Sequence, residues 1–254
     1  MKNESIQDIK KALKEITSPS DERITLWKSD QRSGVKQALS QWEKQRIRTE
    51  NELKRYEEMK QFEKAAYRNG HRLIAGIDEV GRGPLAGPVV AAAVILPDNC
   101  TLLGVNDSKK LSTKKRDELY NQIQDQAISI GLGVVSQKII DEVNIYQATK
   151  IAMGKALEDL SFVPDYLLID AMKLEVNIPQ ESIIKGDARS ISIAAASIIA
   201  KVTRDRLMED YAKRYPGYGF ENNAGYGTKE HLLGLENLGI CPIHRKTFAP
   251  IKNM

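Results

Sequence analysis

Apolar residues along this chain change their period at about residue 71. Before that point they recur at helical spacing among polar residues, and beyond it they gather into short, dense runs. In the leading segment the spacing predicts a first helix over about Ser5 to Ile16, closed by Ser18-Pro19-Ser20. Val35, Leu39 and Trp42 share one helical face, and Leu53, Tyr56, Met59, Phe62 and Ala66 share another. The phase slips between the two sets, which predicts two helices or one bent helix. Asn69-Gly70 ends the region. No glycine-rich linker follows, so its last helix is expected to pack on the next domain.

From His71 the runs predict strands. Arg72 to Asp78 and Pro88 to Leu96 form an antiparallel pair across a short glycine loop, and Ile128 to Ser136 gives a third strand. A helix fits about Asn144 to Leu160. Tyr166 to Asp170 is a short apolar strand ending in a carboxylate, and Glu181 to Ile184 is another strand candidate. Ser190 to Tyr215 is a long helix whose first half is apolar nearly all round and therefore buried. Thr228 can cap a last helix, on which His231 is expected to face solvent. Strands first, then strands alternating with helices, predict an α/β mixed sheet covered by helices. Two domains are expected: a helical extension over 1–70 and the α/β domain over 71–254.

Composition narrows the setting. The chain has 254 residues and is 41% hydrophobic, enough to bury a substantial core. The longest uninterrupted apolar run, Val89 to Leu96, is far too short to cross a bilayer. Met1 is followed by Lys2-Asn3-Glu4 with no apolar stretch behind it, so no signal peptide is expected. Cys100 and Cys241 are too few for a disulfide framework and lack metal-ligand spacing, which suits a cytoplasmic protein. Of the net charge of +4, all the surplus lies in residues 1–70, with 16 Lys and Arg against 12 Asp and Glu. A nucleic-acid partner is compatible with that.

Candidate chemistry comes from acids at strand ends. Asp78-Glu79 follows Ile77, Asp170 follows Leu167-Leu168-Ile169, and Asp187 follows Ile183-Ile184-Lys185-Gly186. One such acid is an ordinary solvated turn residue. Three places of one design are less easily dismissed. Adjacent carboxylates at the mouth of a core strand repel each other and lose hydration, and a divalent cation relieves both. If the strands before Asp78 and Asp170 are neighbours, their acids converge at one sheet edge. Carboxylates with no His or Cys nearby select Mg²⁺ or Mn²⁺ over zinc. Two such ions about 4 Å apart can activate a water and stabilise a leaving oxygen in phosphoryl transfer.

The loop Gly81-Arg82-Gly83-Pro84-Leu85-Ala86-Gly87 fails as a dinucleotide fingerprint, because its last gap is three residues and it leads into a strand. Its glycines let backbone amides approach a polar ligand, and Arg82 can reach phosphate, although a plain tight turn accounts for the loop equally well. The stretch Ala75-Gly76-Ile77-Asp78-Glu79-Val80-Gly81-Arg82-Gly83-Pro84-Leu85-Ala86-Gly87-Pro88-Val89-Val90 resembles the signature of the ribonuclease HII family, the bacterial type 2 ribonucleases H. The likeness continues through Asp107-Ser108-Lys109-Lys110-Leu111, Ile169-Asp170, Lys185-Gly186-Asp187, Gly225-Tyr226-Gly227-Thr228 and His244-Arg245.

The resemblance implies a ribonuclease H-like mixed five-stranded sheet flanked by helices. It implies metal binding and catalysis at Asp78, Glu79, Asp170 and Asp187, with two Mn²⁺ or Mg²⁺ ions. The implied activity is cleavage of RNA in RNA–DNA hybrids and nicking of duplex DNA 5′ of a single embedded ribonucleotide, leaving 3′-hydroxyl and 5′-phosphate ends. The backbone of Gly81-Arg82-Gly83 resembles the family's 2′-hydroxyl sensor, a group that both donates and accepts. Tyr226 matches the tyrosine that packs on the following deoxyribose. Lys109 and Lys110 are candidate phosphate contacts, as is the Lys114-Lys115-Arg116 run, which a solvated basic surface or helix start also explains. Ser197, Lys201 and Arg204 share a helical edge and are read as structural, and His244 has no assigned role. A monomer without membrane attachment is expected. A nucleotidyl transferase would share the acids but needs a triphosphate signature, and none is visible. A purely helical nucleic-acid-binding protein would explain residues 1–70 and leave the acids unexplained.

Overall fold

The computed structural model describes residues 4–105, 108 and 111–254, and divides into two units that part between Glu57 and Glu58. Lys109 and Lys110 lie outside the described residues. Among the described residues no helix is long and apolar enough to cross a membrane.

The first unit is helical. Helices α1 (Ile6–Glu15) and α2 (Glu22–Lys28) start at Ser5 and Asp21, whose side chains accept from Asp8 N and Arg23 N. Helix α3 runs over Ser33–Met59. Ile9, Leu13, Ile24, Trp27, Val35 and Ala38 close a small core among them. Trp42 Nε1 donates to the carbonyl of Ile16 at 3.0 Å. Helix α2 is absent from the periodicity reading because its seven residues hide only Ile24 and Trp27. The break expected between the two apolar sets does not occur, since α3 runs through it; the helix is interrupted instead at Lys60, within the second set, where α4 (Gln61–Arg68) begins.

The second unit contains α4 and a five-stranded sheet in the order β3-β2-β1-β4-β5. Its strands are β1 (Ile74–Val80), β2 (Val89–Ile95), β3 (Ser129–Val135), β4 (Tyr166–Asp170) and β5 (Gln180–Ile183). Strand β1 pairs antiparallel with β2 and parallel with β4; β2 and β3 are antiparallel, β4 and β5 parallel. The mixed sheet is thus as expected, and β2, buried at every position, accounts for the longest apolar run.

Alternation along the strands assigns the faces. Ala75, Ile77, Ala91, Ala93, Leu167 and Ile169 meet α6 (Gln137–Glu158). Close approach there depends on Gly131 and Gly133, where a Cβ would sit 2.0 Å from Ala156 O and 1.8 Å from Ala152 O. Ile74 and Leu168 face the other way, toward α7 (Ile191–Arg214) and α4, and join Ala66, Ile183 and Ile193. The last helix of the leading segment therefore packs on the sheet domain, as anticipated. Glu63 on α4 is buried and accepts from Ser190 Oγ at 2.5 Å and Ser192 N at 3.0 Å, fastening the first turn of α7.

Helix α6 begins earlier than its predicted start at Asn144. Asn144 has φ 70°, and its Oδ1 accepts from Tyr146 N and Gln147 N, so it caps the second of two helical segments. Helix α5 (Thr113–Gln126) escaped prediction because only Leu119, Tyr120 and Ile123 are buried in an otherwise polar stretch. Two C-terminal helices, α8 (Phe220–Asn223) and α9 (Lys229–Leu238, capped by Thr228), complete the unit.

Candidate active site

Ile77 of β1 lies opposite Ile169 of β4 in parallel register, so Asp78 and Asp170 leave neighbouring strands at the same edge. Two residues earlier on β1, Gly76 would place a Cβ against the backbone of Ser192, which puts Asp78 on the α7 side of the sheet. There Asp78 is 5% exposed, and the hydroxyl of Ser197 on α7 lies against it. The backbone N–H of Glu79 donates to its Oδ1 at 2.7 Å. Burial first, then the charges of Glu79 and Asp170, push its carboxyl well above the ordinary carboxylate range, with Ser197 pulling weakly the other way. Glu79 meets Arg82 at 3.2 Å.

Asp187 arrives by a different route. It lies in the 3₁₀ turn Gly186–Ala188 between β5 and α7. Gly186 N donates to Asp170 Oδ1 at 2.7 Å, and a side chain at Gly186 would press on Ile193. The turn carrying Asp187 is thereby tied to Asp170. All four acids predicted from the sequence thus sit on β1, on β4, or on a turn bonded to β4.

This donor set is oxygen only and crowded with like charge around a buried carboxyl, which fits a hard divalent cation. Among the described residues no three acidic, imidazole or thiol side chains are drawn into one closed cluster, so the acids share an edge and a field rather than a finished cage.

The glycine loop is held from beneath by two arginines. Arg204 of α7 donates to Pro88 O, Ala86 O and Ala224 O at 2.9, 3.1 and 2.8 Å. Arg245 donates to Gly81 O, Arg82 O, Gly87 O and Pro88 O. Both side chains are fully buried. Burial pulls Arg204 down to about 10 and Arg245, which also feels Arg204, to about 9, so both stay charged at neutral pH. Gly81 and Gly87 have φ of +93° and +86°, and a Cβ at Gly81 would meet Arg204 Nε at 2.2 Å. A plain tight turn has no need of two buried guanidiniums.

Tyr226 completes the rim. It is 41% exposed, and its ring passes 3.6 Å from the point where a Gly83 side chain would begin. Leu85 N donates to Gly225 O at 2.8 Å, lacing the tyrosine loop to the glycine loop. Arg116 binds Ser108 O, Leu111 O and Asp205, so it is committed to structure.

One reading from the sequence needs correction. His231 is fully buried rather than on the surface, because α9 turns Leu232, Leu233 and Leu238 outward and His231, Gly234 and Leu235 inward. Arg204, read as structural, is so: buried, it donates to backbone carbonyls, those of the glycine loop among them. Arg245 and Glu63 gave no sign in periodicity, since a buried ion reveals itself only through the distant atoms it binds.

The chain's likeness to known proteins agrees with this arrangement. The family model described as Ribonuclease HII matches residues 75–251, and that of the Ribonuclease HII N-terminal domain matches residues 5–67. Ribonuclease HII of Enterococcus faecalis is 70% identical over 254 residues, 100% of both chains. Ribonuclease HII of Leuconostoc mesenteroides is 58% identical, covering 99% of both. The crystal structure of ribonuclease H2 from Pyrococcus horikoshii superposes with a TM-score of 0.60 at 29% identity, covering 71% of this chain and 95% of that one.

Proposed function

This chain belongs to the ribonuclease HII family, whose members are endonucleases that cut RNA in RNA–DNA hybrids, and from that premise we propose that it also nicks duplex DNA 5′ of a single embedded ribonucleotide, leaving 3′-hydroxyl and 5′-phosphate ends, with Mg²⁺ or Mn²⁺ held by Asp78, Glu79, Asp170 and Asp187. The observation that carries the reading is the buried carboxyl of Asp78, raised by burial and by Glu79 and Asp170. Bound divalent ions would supply positive charge against the phosphate and activation of the attacking water. The protein's own share is positioning. Asp170 anchors the turn of Asp187 through Gly186 N. Arg204 and Arg245 draw the loop carbonyls inward, which favours presentation of its other polar groups to a 2′-hydroxyl. Tyr226, beside Gly83, is placed to pack on the next sugar, where an added hydroxyl would clash.

For the N-terminal helices we propose added duplex affinity through their positive surplus.

The deciding experiment is end-labelled duplex DNA with one ribonucleotide, incubated with protein and Mg²⁺ or Mn²⁺. Cleavage 5′ of that nucleotide is expected. Cleavage of a continuous hybrid with none at the single ribonucleotide would remove the junction reading, and activity in chelator would remove the metal.

A further inference from the structure

Two buried histidines lie apart from the acid edge, and the reaction proposed above assigns neither a task. Their hydrogen bonds fix where each ring proton sits. The backbone N–H of Cys241 lies 2.8 Å from His244 Nδ1. An amide N–H only donates, so this nitrogen accepts and the proton of His244 is on Nε2. The competing contact from Nδ1 to Cys241 O is longer, at 3.3 Å. His244 Nε2 is 3.0 Å from His231 Nε2, which must therefore accept. That puts the proton of His231 on Nδ1, 2.9 Å from the carbonyl oxygen of Tyr226. The chain of bonds has one direction, from the Cys241 amide through both rings to Tyr226.

Aromatic neighbours hold the rings in place. Tyr218 and Phe220 stack on each other, with His244 5.1 Å from Tyr218 and His231 5.1 Å from Phe220 between centroids. Burial keeps both rings neutral, His244 down to about 4. The residue after His244 is Arg245, which binds the glycine-loop carbonyls, and Ala86 bridges to His244 through the backbone. One dipeptide thus reaches both halves of the rim.

We infer that His231 and His244 are positioning residues that set Tyr226 against the glycine loop, and so determine preference for an RNA–DNA junction over a continuous hybrid. The inference rests on the proposed role of Tyr226. A continuous hybrid carries a 2′-hydroxyl on the sugar after the cut and gains nothing from packing there. A loosened Tyr226 therefore slows the junction substrate selectively, which loss of general stability would not do.

The test compares cleavage of a single-ribonucleotide duplex and of a continuous hybrid by full-length wild type, His231→Phe, His244→Phe, His231→Asn and Tyr226→Ala. Each Phe variant should lower the junction-to-hybrid ratio about tenfold, the effect of losing roughly one good hydrogen bond's worth of positioning. His231→Asn, whose amide can donate where Nδ1 does, should recover most of it. Equal slowing of both substrates, or an unchanged ratio where Tyr226→Ala lowers it, overturns the inference alone. An unchanged ratio in Tyr226→Ala overturns the junction reading itself, and this inference with it. Nitrogen-15 spectra of the wild type give an independent check without any substitution. Protons on His231 Nδ1 and His244 Nε2 are expected, and the opposite tautomers would refute the relay.

Discussion

Replacing Gly76 by alanine probes one of the closest approaches between helix and strand in the second unit. The added Cβ would lie 2.1 Å from Ser192 C and 2.4 Å from both Ser192 O and Ile193 N, all backbone atoms that no rotamer change can move aside. Ordinary contact begins at 3.4 Å, so α7 must lift from β1 by more than 1 Å. Overpacking of that kind costs about 1–3 kcal/mol. The lift also strains the bonds from Ser190 and Ser192 to the buried Glu63 carboxylate, each worth about 1–3 kcal/mol once its partner is left unsatisfied. With about 2 kcal/mol from overpacking and about 1 kcal/mol from each bond, which is strained rather than lost, the cost is roughly 4 kcal/mol, or about 10 °C in melting temperature for a unit of this size. Activity should fall further than stability, because the same turn of α7 follows the Gly186–Ala188 segment that carries Asp187. Thermal melts and kcat measured well below the melting point are the assay. Gly154→Ala is the control: a Cβ there meets nothing within 4 Å, and this helix-interior glycine should gain about 0.5–1 kcal/mol on substitution. Wild-type melting and kcat in Gly76→Ala would refute the account of how α7 is seated.

Other outcomes can be checked alongside. Asp78→Asn keeps shape and removes charge, so it should cut turnover by several kcal/mol of transition-state stabilisation, on the order of a hundredfold or more, while metal-free melting rises as like charges separate; near-normal turnover would undo the site. Acid should destabilise the fold through His244: above its unfolded value of 6.5 the stabilising difference is complete, and it drains as pH falls toward the folded value of about 4, by up to about 3 kcal/mol at 1.36 kcal/mol per pH unit. Urea midpoints at pH 7.5 and 5 should show a smaller loss in His244→Phe than in wild type, and equal losses would refute this. Removing residues 1–57 while keeping α4 should raise KM and flatten its salt dependence; an unchanged KM and salt slope would discard the affinity role.

Much of this fold was legible because its central strands announce themselves. The unbroken apolar run of β2 and the Tyr166–Asp170 strand are where periodicity put them. The acids were legible for the same reason, each closing or following such a strand. What stayed hidden depends on partners far away in sequence. The buried face of α9 holds His231 because a carbonyl and a second imidazole await it there, while its leucines face solvent. Nothing in the sequence marks why Gly76 and Gly133 stand inside strands; the reason is the helices that need their missing side chains. Lys60 rather than the phase slip marks the break between α3 and α4, since the polar middle of α3 continues helically through the slip.

The braces under the glycine loop also impose an order on synthesis. Arg245 meets Arg82 across a separation of 163 residues, so the chain must be made through Arg245 before the loop can take its shape. Every acid is translated well before that moment, yet a chain cut short of Arg245 lacks the guanidinium that braces its glycine loop.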